Sequence, residues 1–407
     1  MEKSMPIEEG KRAPVLDALR GFALLGICLA NSGYFSMYIF KSPAEKRAMP
    51  LGGLDKWLEY AHLALIDGKF YSIFSMLFGI GFSIIIFRNA RSNGLTVFYR
   101  RLLVLLGIGL IHGLLIWDGD ILIFYALAGM VLPLFRKLTP RVLVIIATIM
   151  LLSPIAFDLA KVISDNRLNI SKPFLEMAMA KDKASGIEEK EISDWVLRNT
   201  GYDDLRRWNK SGLLWGWYLR MEGNRVFKIM GMFLIGLAIG KLQIFDQLER
   251  WQHALRRVMY TMLAIGLGGG LLKVVAEHDG VSLPKWGGML DTLGYTLNVA
   301  PLAIAYACLF ALLYANGRKM PLLENVGWMA LTNYILQSVM CLFIYYGFGL
   351  GLATRVGPSG FMAIAVGVFL LQMAYSRLWF TYFRFGPLEW IWRWLTYGKR
   401  LPMRKAG

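Results

Sequence analysis

A histidine and an aspartate on either side of one predicted turn are the residues in this sequence best suited to acid–base chemistry. His112 lies in an apolar stretch, and Asp120 follows eight positions later in the turn Trp117-Asp118-Gly119-Asp120. Because eight residues make about two helical turns and Gly119 permits a chain reversal, Asp120 can return over the helix end. A carboxylate there would orient the imidazole and raise its basicity, as in general-base sites. Alternatively, His112 makes one interhelical hydrogen bond and both aspartates are solvated.

A second polar set lies on the first apolar helix. Asp17 and Arg20 are three residues apart and can pair on one helix face. Asn31 follows Arg20 by eleven residues, which places it on the same face about 16 Å away. Charge inside a bilayer costs roughly 2.5–3.5 kcal/mol per residue at a helix centre, so a retained pair indicates a buried partner or a ligand pathway. The alternative is an interfacial ion pair that supports the membrane topology.

Further polar side chains interrupt other apolar stretches. Ser72 and Ser75 lie in one stretch, and Asn333 and Gln337 share a helix face as an i,i+4 pair in another. They suit the lining of a binding site, but they could equally fasten two helices at about 1 kcal/mol or less. The three cysteines occur in no metal-binding spacing, so no metal site is predicted.

Composition indicates the elements that position these residues. The chain has 407 residues, of which 56% are hydrophobic and 18% charged, with a mean hydropathy of +0.46. Its apolar residues form blocks of about 20, the length that spans a bilayer. We therefore predict an all-α polytopic membrane bundle, with residues 1–407 as one transmembrane domain and a surface helix over 54–66. The ten predicted spans are 17–38, 69–88, 101–117, 119–135, 142–163, 225–243, 256–275, 290–315, 326–347 and 359–383. The sequence shows no clear broken span or internal repeat, features that would favour a transporter.

Basic residues in the short loops predict the orientation of the bundle. One alternating set of segments holds 22 of the 45 Lys and Arg, whereas the other set holds 6. The basic set comprises the N-terminus, 88–101, 136–141, 241–257, 316–325 and 384–407, and the other comprises 32–68, 117–120, 276–287 and 348–358. Both termini are therefore predicted to be cytoplasmic. The net charge of +17 comes mostly from the basic set, which favours contact with anionic lipid headgroups and argues against nucleic acid as a partner.

One long insertion interrupts the alternation. Residues 164–224 are predicted to lie outside the cytoplasm and combine clustered charges with aromatic residues, including Trp215, Trp217 and Tyr218. Amphipathic rings prefer the membrane interface, so we predict a small helical cap anchored there. The alternative is a solvated loop with an aromatic anchor.

Several motifs resemble the bacterial YeiB-like membrane proteins, from about residue 12 to 398. They are Leu16-Asp17-Ala18-Leu19-Arg20-Gly21 with Asn31, Phe70-Tyr71-Ser72-Ile73-Phe74-Ser75-Met76-Leu77-Phe78-Gly79, Ile111-His112-Gly113-Leu114-Leu115-Ile116-Trp117-Asp118-Gly119-Asp120, Gly327-Trp328-Met329-Ala330-Leu331-Thr332-Asn333-Tyr334-Ile335-Leu336-Gln337-Ser338 and Gly386-Pro387-Leu388-Glu389-Trp390-Ile391-Trp392-Arg393. The last two are the most specific.

The resemblance implies a wider placement. YeiB-like proteins are grouped with transmembrane acyltransferases that include the heparan glucosaminide acetyltransferases and the acyltransferase-3 proteins. Those enzymes move an acyl group from cytoplasmic acyl-CoA to a hydroxyl or amino group on the far side, often of a sugar. Asp17, Arg20 and Gly21 match their shared D-x-x-R-G pattern. Acyltransferase-3 proteins place a histidine eleven residues after the arginine, where this chain has Asn31, so His112 would have to supply the base.

The sequence thus supports one leading hypothesis and two rivals. The leading hypothesis is an acyltransferase of the bacterial cytoplasmic (inner) membrane with acyl-CoA as donor substrate, no tightly bound cofactor, and a sugar or lipid acceptor. The rivals are a transporter or lipid-handling protein, and a non-catalytic membrane partner. Homo-oligomerisation stays open. The candidate catalytic residues are His112, Asp120 and Asn31, and the candidate donor-binding residues are Asp17, Arg20, Ser72, Ser75, Trp117, Asn333 and Gln337.

Overall fold

The fold is a bundle of helices. The computed structural model of the chain describes residues 13–50, 52–88, 94–187, 192–198, 201–280 and 282–405. Residues 1–12 of the predicted cytoplasmic N-terminus, and parts of the predicted loop 88–101 and of the predicted cap, lie outside these ranges. Within them the structure contains helices and no strand, which confirms the all-α class.

Seventeen α-helices occur in the described ranges. They are α1 (Pro14–Phe35), α2 (Pro43–Arg47), α3 (Gly52–Leu65), α4 (Lys69–Ser83), α5 (Gly94–Ile111), α6 (Leu122–Val131), α7 (Pro140–Ile163), α8 (Lys172–Ser185), α9 (Ile192–Arg198), α10 (Tyr202–Glu222), α11 (Arg225–Lys241), α12 (Leu248–Asp279), α13 (Met289–Ala315), α14 (Pro321–Trp328), α15 (Ala330–Tyr345), α16 (Pro358–Tyr382) and α17 (Pro387–Tyr397). Proline at the first turn of α1, α7, α14, α16 and α17 fits its fixed φ and missing N–H.

The helix lengths confirm a multi-pass membrane protein. Seven helical segments in the described ranges are long and apolar enough to cross a membrane, and nine are if each of two bent helix pairs is one span. Each predicted span coincides with one of these segments except 119–135, which falls on the shorter apolar helix Leu122–Phe135. The predicted surface stretch 54–66 forms α3, which packs against α12 and α16 and buries Asp55.

The two bent pairs correct the expectation of unbroken spans. α10 and α11 meet at 71°, and α14 and α15 meet at 84°. The first bend is made at Asn224, whose φ of 51° is left-handed, a conformation that asparagine tolerates better than most residues. The second lies beside Gly327, where an added Cβ would come within 1.8 Å of the Asp17 carbonyl oxygen. α14 therefore packs backbone to backbone against α1, and the chain must turn before α15 can cross the bundle.

Close helix contact at glycines holds the centre of the bundle together. At Gly79 on α4 an added Cβ would lie 2.0 Å from the Phe233 carbonyl, and at Gly236 on α11 it would lie 1.9 Å from the Met76 carbonyl. These reciprocal contacts bring the α4 and α11 backbones together, as small residues do where membrane helices pack.

Candidate functional site

A buried histidine, aspartate and serine form a hydrogen-bonded chain where α5, α6 and α15 meet. His112 Nδ1 lies 2.7 Å from Asp120 Oδ2, and His112 Nε2 lies 3.0 Å from Ser338 Oγ. All three residues are buried, with relative exposures of 0%, 2% and 2%. The predicted proximity of His112 and Asp120 is therefore observed as a direct hydrogen bond. The serine was not predicted.

The side-chain types determine which atom donates each of these two hydrogen bonds. In the state with a neutral imidazole and an ionised carboxylate, which only accepts hydrogen bonds, His112 Nδ1 donates to Asp120 and Nε2 is an acceptor. The Ser338 hydroxyl therefore donates to Nε2. Distances near 3 Å between a hydroxyl, a base and a group that orients the base are those required to activate a nucleophile. The arrangement can thus move a proton from an oxygen to the imidazole.

The local backbone holds Asp120 firmly. Its other carboxylate oxygen accepts from the Ile123 N–H at 2.8 Å, which caps the start of α6, and its carbonyl oxygen accepts from the Arg220 guanidinium. Residues His112–Ile116 form a π-helical turn in which the Trp117 N–H donates to the His112 carbonyl at 2.8 Å. Such turns widen a helix locally and occur often at functional sites. The carboxylate is therefore fixed from both sides of the predicted turn.

An inner cavity of about 360 Å³ lies on one side of this chain of residues. Charged side chains line it near one end, among them Asp17, Arg20, Arg101, Glu389 and Arg393, and apolar and aromatic side chains line the rest. Its volume is that of a small-molecule site. The distribution of basic loops predicts that the charged end faces the cytoplasm.

Arg20 and Arg101 supply positive charge in the inner cavity. Arg20 hydrogen-bonds to Asp17, the predicted ion pair, and remains 29% exposed at its side chain. The Arg101 guanidinium stacks 4.1 Å over the Trp392 ring, and the Trp392 indole N–H donates to the Arg101 carbonyl at 3.0 Å. An anionic group of a ligand could be bound by these guanidinium groups through charge-assisted hydrogen bonds.

Tyr334 lies between the cavity and the buried histidine. It lines the cavity, and its ring centroid is 5.1 Å from that of His112. Its hydroxyl accepts from the Ile121 N–H at 3.4 Å, which ties it to the residue after Asp120. The Tyr334 ring therefore lies between the inner cavity and the His112 ring.

Asn31, a candidate catalytic residue on the same face of α1 as Arg20, does not line the inner cavity with it. The inner cavity contacts Arg20 and Ile27 on α1 but not Asn31, so it stops about one helical turn short of that residue. Asn31 is half-buried, and its amide has no hydrogen-bond partner in the described part of the chain. The bonding partner of His112 Nε2 is Ser338 and not Asn31.

The other predicted binding residues are dispersed. Ser72 donates to the Gly68 carbonyl of its own helix, and Ser75 bonds the Tyr71 carbonyl and the Tyr125 hydroxyl. Trp117 is buried and stacks on Phe35 with ring centroids 4.2 Å apart. These residues do not line the inner cavity, although Tyr125 does.

Asn333 and Gln337 fasten helices. The Asn333 side chain bonds the Val326 carbonyl at 2.9 Å, Ser376 at 3.2 Å and the Tyr375 hydroxyl, and the Gln337 amide bonds the Leu24 carbonyl and Gln372 at 3.2 and 2.8 Å. They connect α15 to α1, α14 and α16, outside the inner cavity. Of the two roles that the sequence left open, the contacts match the fastening role.

The predicted cap contributes to the site from outside the bundle. Residues 172–222 include three helices, and the Trp215 indole donates to Asp182 at 2.6 Å, so this ring ties α10 to α8. Asp118, which the alternative interpretation of the sequence made a solvated turn residue, packs against Gly212 of α10 and bonds Trp208. Burial raises the pKa of the Asp118 carboxyl to about 7. With Arg220 on the Asp120 carbonyl, α10 covers the side of the site opposite the inner cavity.

Three residues that contribute to the site were not predicted from the sequence. Ser338, Tyr334 and Arg220 are each of a common type in an apolar or amphipathic helix, where packing is the ordinary role. Tyr334 and Ser338 are i,i+4 on α15 and therefore share a face, which is the one available signal. In the described ranges no group of three or more His, Cys, Asp or Glu side chains is arranged to hold a metal ion.

Fold and site define a polytopic helical membrane protein with a buried serine–histidine–aspartate chain above an internal cavity. Residues 239–399 match the family described as "Protein of unknown function (DUF418)". Over 100% of this chain and 99% of its own length, "Uncharacterized protein YxaH" of Bacillus subtilis (strain 168) is 33% identical. "Uncharacterized protein YeiB" of Escherichia coli (strain K12) is 30% identical over 95% and 96%. The chain belongs to the YeiB-like family. No solved structure matches it.

Proposed function

We propose that the protein is a transmembrane acyltransferase, which moves an acyl group from a cytoplasmic acyl-CoA-like donor to a hydroxyl or amino acceptor on the other side of the membrane. The observation that carries the proposal is His112, bonded to Asp120 and Ser338 and in ring contact with Tyr334, which lines the inner cavity. A base placed directly beyond a ligand-sized cavity suits group transfer between its two sides.

The donor would occupy the inner cavity. Arg20 and Arg101 would bind its phosphate groups near the charged end, and the apolar wall would hold the acyl chain. The wall includes Phe74, Phe78 and Leu122, which suit an aliphatic ligand. This arrangement would direct the thioester carbonyl toward Tyr334 and the histidine.

His112 would act as the general base. Nε2 takes the proton of the attacking hydroxyl, a new C–O bond forms at the thioester carbonyl, the C–S bond breaks, and the thiolate leaves with the proton from the imidazolium. Asp120 keeps the ring in the required tautomer and stabilises its charged form. General-base catalysis of this kind contributes about 10²–10⁴-fold to a rate.

The acceptor would come from the side that α8 to α10 cover. A sugar or a lipid with a free hydroxyl or amino group is the class of acceptor that this chemistry requires. The family relationship and the basic loops support placement in the bacterial cytoplasmic (inner) membrane, with membrane lipids around the bundle.

The two bent helix pairs favour a second candidate function, a transporter or lipid-handling protein. Discontinuous helices expose backbone groups that can bind substrates in the membrane. In that case Arg20 and the inner cavity would bind a cargo that crosses unchanged.

One experiment separates the two functions. Purified full-length protein in lipid nanodiscs would receive labelled acetyl-CoA or palmitoyl-CoA with an extract of membrane glycolipids and phospholipids. The acyltransferase predicts label in the lipid fraction, loss of at least about 10²-fold in His112→Ala, and a smaller loss in Asp120→Asn. His253→Ala, an exposed histidine on α12, is the matched control. If His112→Ala cleaved acyl-CoA at the parental rate, His112 would not be the base.

A further inference from the structure

The hydroxyl on which the buried histidine acts belongs to the protein itself. His112 Nδ1 is committed to Asp120, so Nε2 is the nitrogen left to accept a proton, and its partner in the structure is Ser338 Oγ at 3.0 Å. A substrate hydroxyl would first have to displace this serine. The resting geometry therefore activates Ser338.

Ser338 differs in its bonding from Ser72 and Ser83, two other buried serines in the bundle. Each of these donates to a carbonyl three or four residues earlier in the chain, the usual way in which serine is satisfied in a membrane helix. Ser338 instead bonds His112, at the end of another helix. Among the described residues, this is the hydrogen bond that the Ser338 hydroxyl makes. Helix packing alone does not require that contact.

The position of Ser338 in the bundle suits a residue that accepts a group from one side of the membrane and passes it to the other. Ser338 lies one helical turn beyond Tyr334 on the same face of α15, and Tyr334 lines the inner cavity. On the other side, Arg220 of α10 bonds the Asp120 carbonyl. Donor and acceptor would approach this layer from opposite sides, and the layer of Tyr334 and His112 keeps them apart. A group held covalently in the layer removes the need for both substrates to be present together.

We propose that Ser338 is the nucleophile that accepts the acyl group, so that transfer proceeds in two covalent steps. The proposal rests on the proposed function for the identity of the donor. It assigns to Ser338 a catalytic role and to His112 a role in both steps.

Acyl transfer through Ser338 takes two steps. In the first, Ser338 Oγ attacks the thioester carbonyl while its proton passes to His112 Nε2, the C–S bond breaks, and the thiolate takes that proton and leaves as a thiol. In the second, the acceptor oxygen or nitrogen attacks the Ser338 ester while its proton passes to Nε2. The C–Oγ bond then breaks, and Ser338 regains a proton from the imidazolium.

A reagent that detects activated serines tests the nucleophile without a known donor. Purified full-length protein in nanodiscs would react with an alkyl fluorophosphonate, which forms an Oγ–P bond, releases fluoride and passes the serine proton to His112. Peptide mass spectrometry should place the adduct on Ser338. Labelling should fall by at least about 10²-fold in His112→Ala and disappear in Ser338→Ala. Ser83→Ala, which removes a buried hydroxyl bonded to its own helix, should react as the parent does.

A second arm uses acetyl-CoA as the probe without acceptor. The parent should gain the mass of one acetyl group on Ser338, and this ester should resist neutral hydroxylamine, which removes thioesters. Elution volume and thermal midpoint would verify that Ser338→Ala and His112→Ala are folded.

The outcomes distinguish the two proposals. Acetylation and fluorophosphonate labelling at Ser338 support both. Labelling by fluorophosphonate without cleavage of any acyl-CoA keeps the serine nucleophile and overturns acyl-CoA as donor. Acyl transfer at the parental rate in folded Ser338→Ala overturns the nucleophile and leaves the function with His112. Parent protein that reacts with neither reagent overturns the nucleophile, and it overturns the proposed function as well when no acyl transfer to an added acceptor is detected.

Discussion

The Tyr334 ring lies 5.1 Å from the His112 ring, and Tyr334 also lines the inner cavity. One aromatic side chain therefore stands between a ligand-sized cavity and a buried base. The Tyr334 hydroxyl bonds the Ile121 N–H, so the ring is held by the same turn that positions Asp120. Movement of this side chain would control contact between the cavity and the histidine.

The first prediction concerns this separation. In a Ser338→Cys background, adding Tyr334→Ala should increase the rate at which a small thiol reagent modifies the introduced thiol several-fold, because the cavity then reaches the site. Inside-out vesicles expose the cytoplasmic side, and mass spectrometry measures the modification. Tyr334→Phe keeps the ring and is the matched control. The native cysteines are buried and serve as internal references. An unchanged rate in the alanine variant would show that another element closes the site.

The second prediction concerns donor binding. Arg20→Lys keeps the charge but loses the planar fork that bonds the Asp17 carboxylate and that would bind the donor phosphate. Loss of one charge-assisted hydrogen bond costs about 1.5–3 kcal/mol, so affinity for acyl-CoA should fall roughly tenfold or more. Binding of a fluorescent acyl-CoA to purified protein measures this, with elution volume as the check on assembly. Arg250→Lys, on the exposed start of α12, should bind as the parent does. Parental affinity in Arg20→Lys would remove Arg20 from the donor site.

The sequence predicted the elements better than their contacts. Apolar blocks of about 20 residues identify membrane helices because the bilayer demands that length, and His112 and Asp120 were found because their pairing is local. Ser338 is 226 residues from His112 along the chain, and its partner follows only from how α15 crosses the bundle. The position of Asn31 relative to the cavity could not be predicted for a related reason. Helix periodicity shows which residues share one face of α1, but it does not show where a neighbouring helix closes the cavity.

The third prediction tests the orientation of the bundle. Lys183→Cys on α8 should react with an impermeant thiol reagent in intact cells, whereas Lys137→Cys between α6 and α7 should react only after permeabilisation. Both side chains are exposed, so membrane sidedness alone should decide the result. Gel-shift labelling measures it. The reverse pattern would move the charged end of the inner cavity to the outside.

The fourth prediction concerns the Glu389 carboxylate in the motif at residues 386–393. Glu389 accepts hydrogen bonds from the Leu331 and Thr332 N–H groups at 2.6 and 3.0 Å and from the Thr332 hydroxyl at 2.6 Å, which caps α15 after its 84° bend. Burial raises the pKa of this carboxyl. Glu389→Ala should lower the free energy of unfolding by about 2 kcal/mol or more.

Glu389→Gln keeps an acceptor oxygen and should lose less. Thermal unfolding in detergent measures both variants, with Glu249→Ala at the exposed start of α12 as the control. Equal midpoints for the Glu389→Ala and Glu249→Ala variants would contradict the capping role.

The fifth prediction follows from Asp118, whose pKa is raised to about 7 mainly by burial under α10. The folded protein keeps a proton on this carboxyl between about pH 4 and pH 7, whereas the unfolded chain has lost it. The folded state then binds more protons, so its stability falls as pH rises through this window and stays lower above it. Asp118→Asn resembles the protonated form, so it should nearly match the parent at pH 4, where both states of the parent hold the proton, and exceed its thermal midpoint at pH 8. Asp203→Asn, whose side chain is 89% exposed, should follow the parent at both values. If the difference in thermal midpoint between Asp118→Asn and the parent did not change with pH, Asp118 would be ionised in the folded protein throughout this range. α10 would then leave the Asp118 carboxylate open to water.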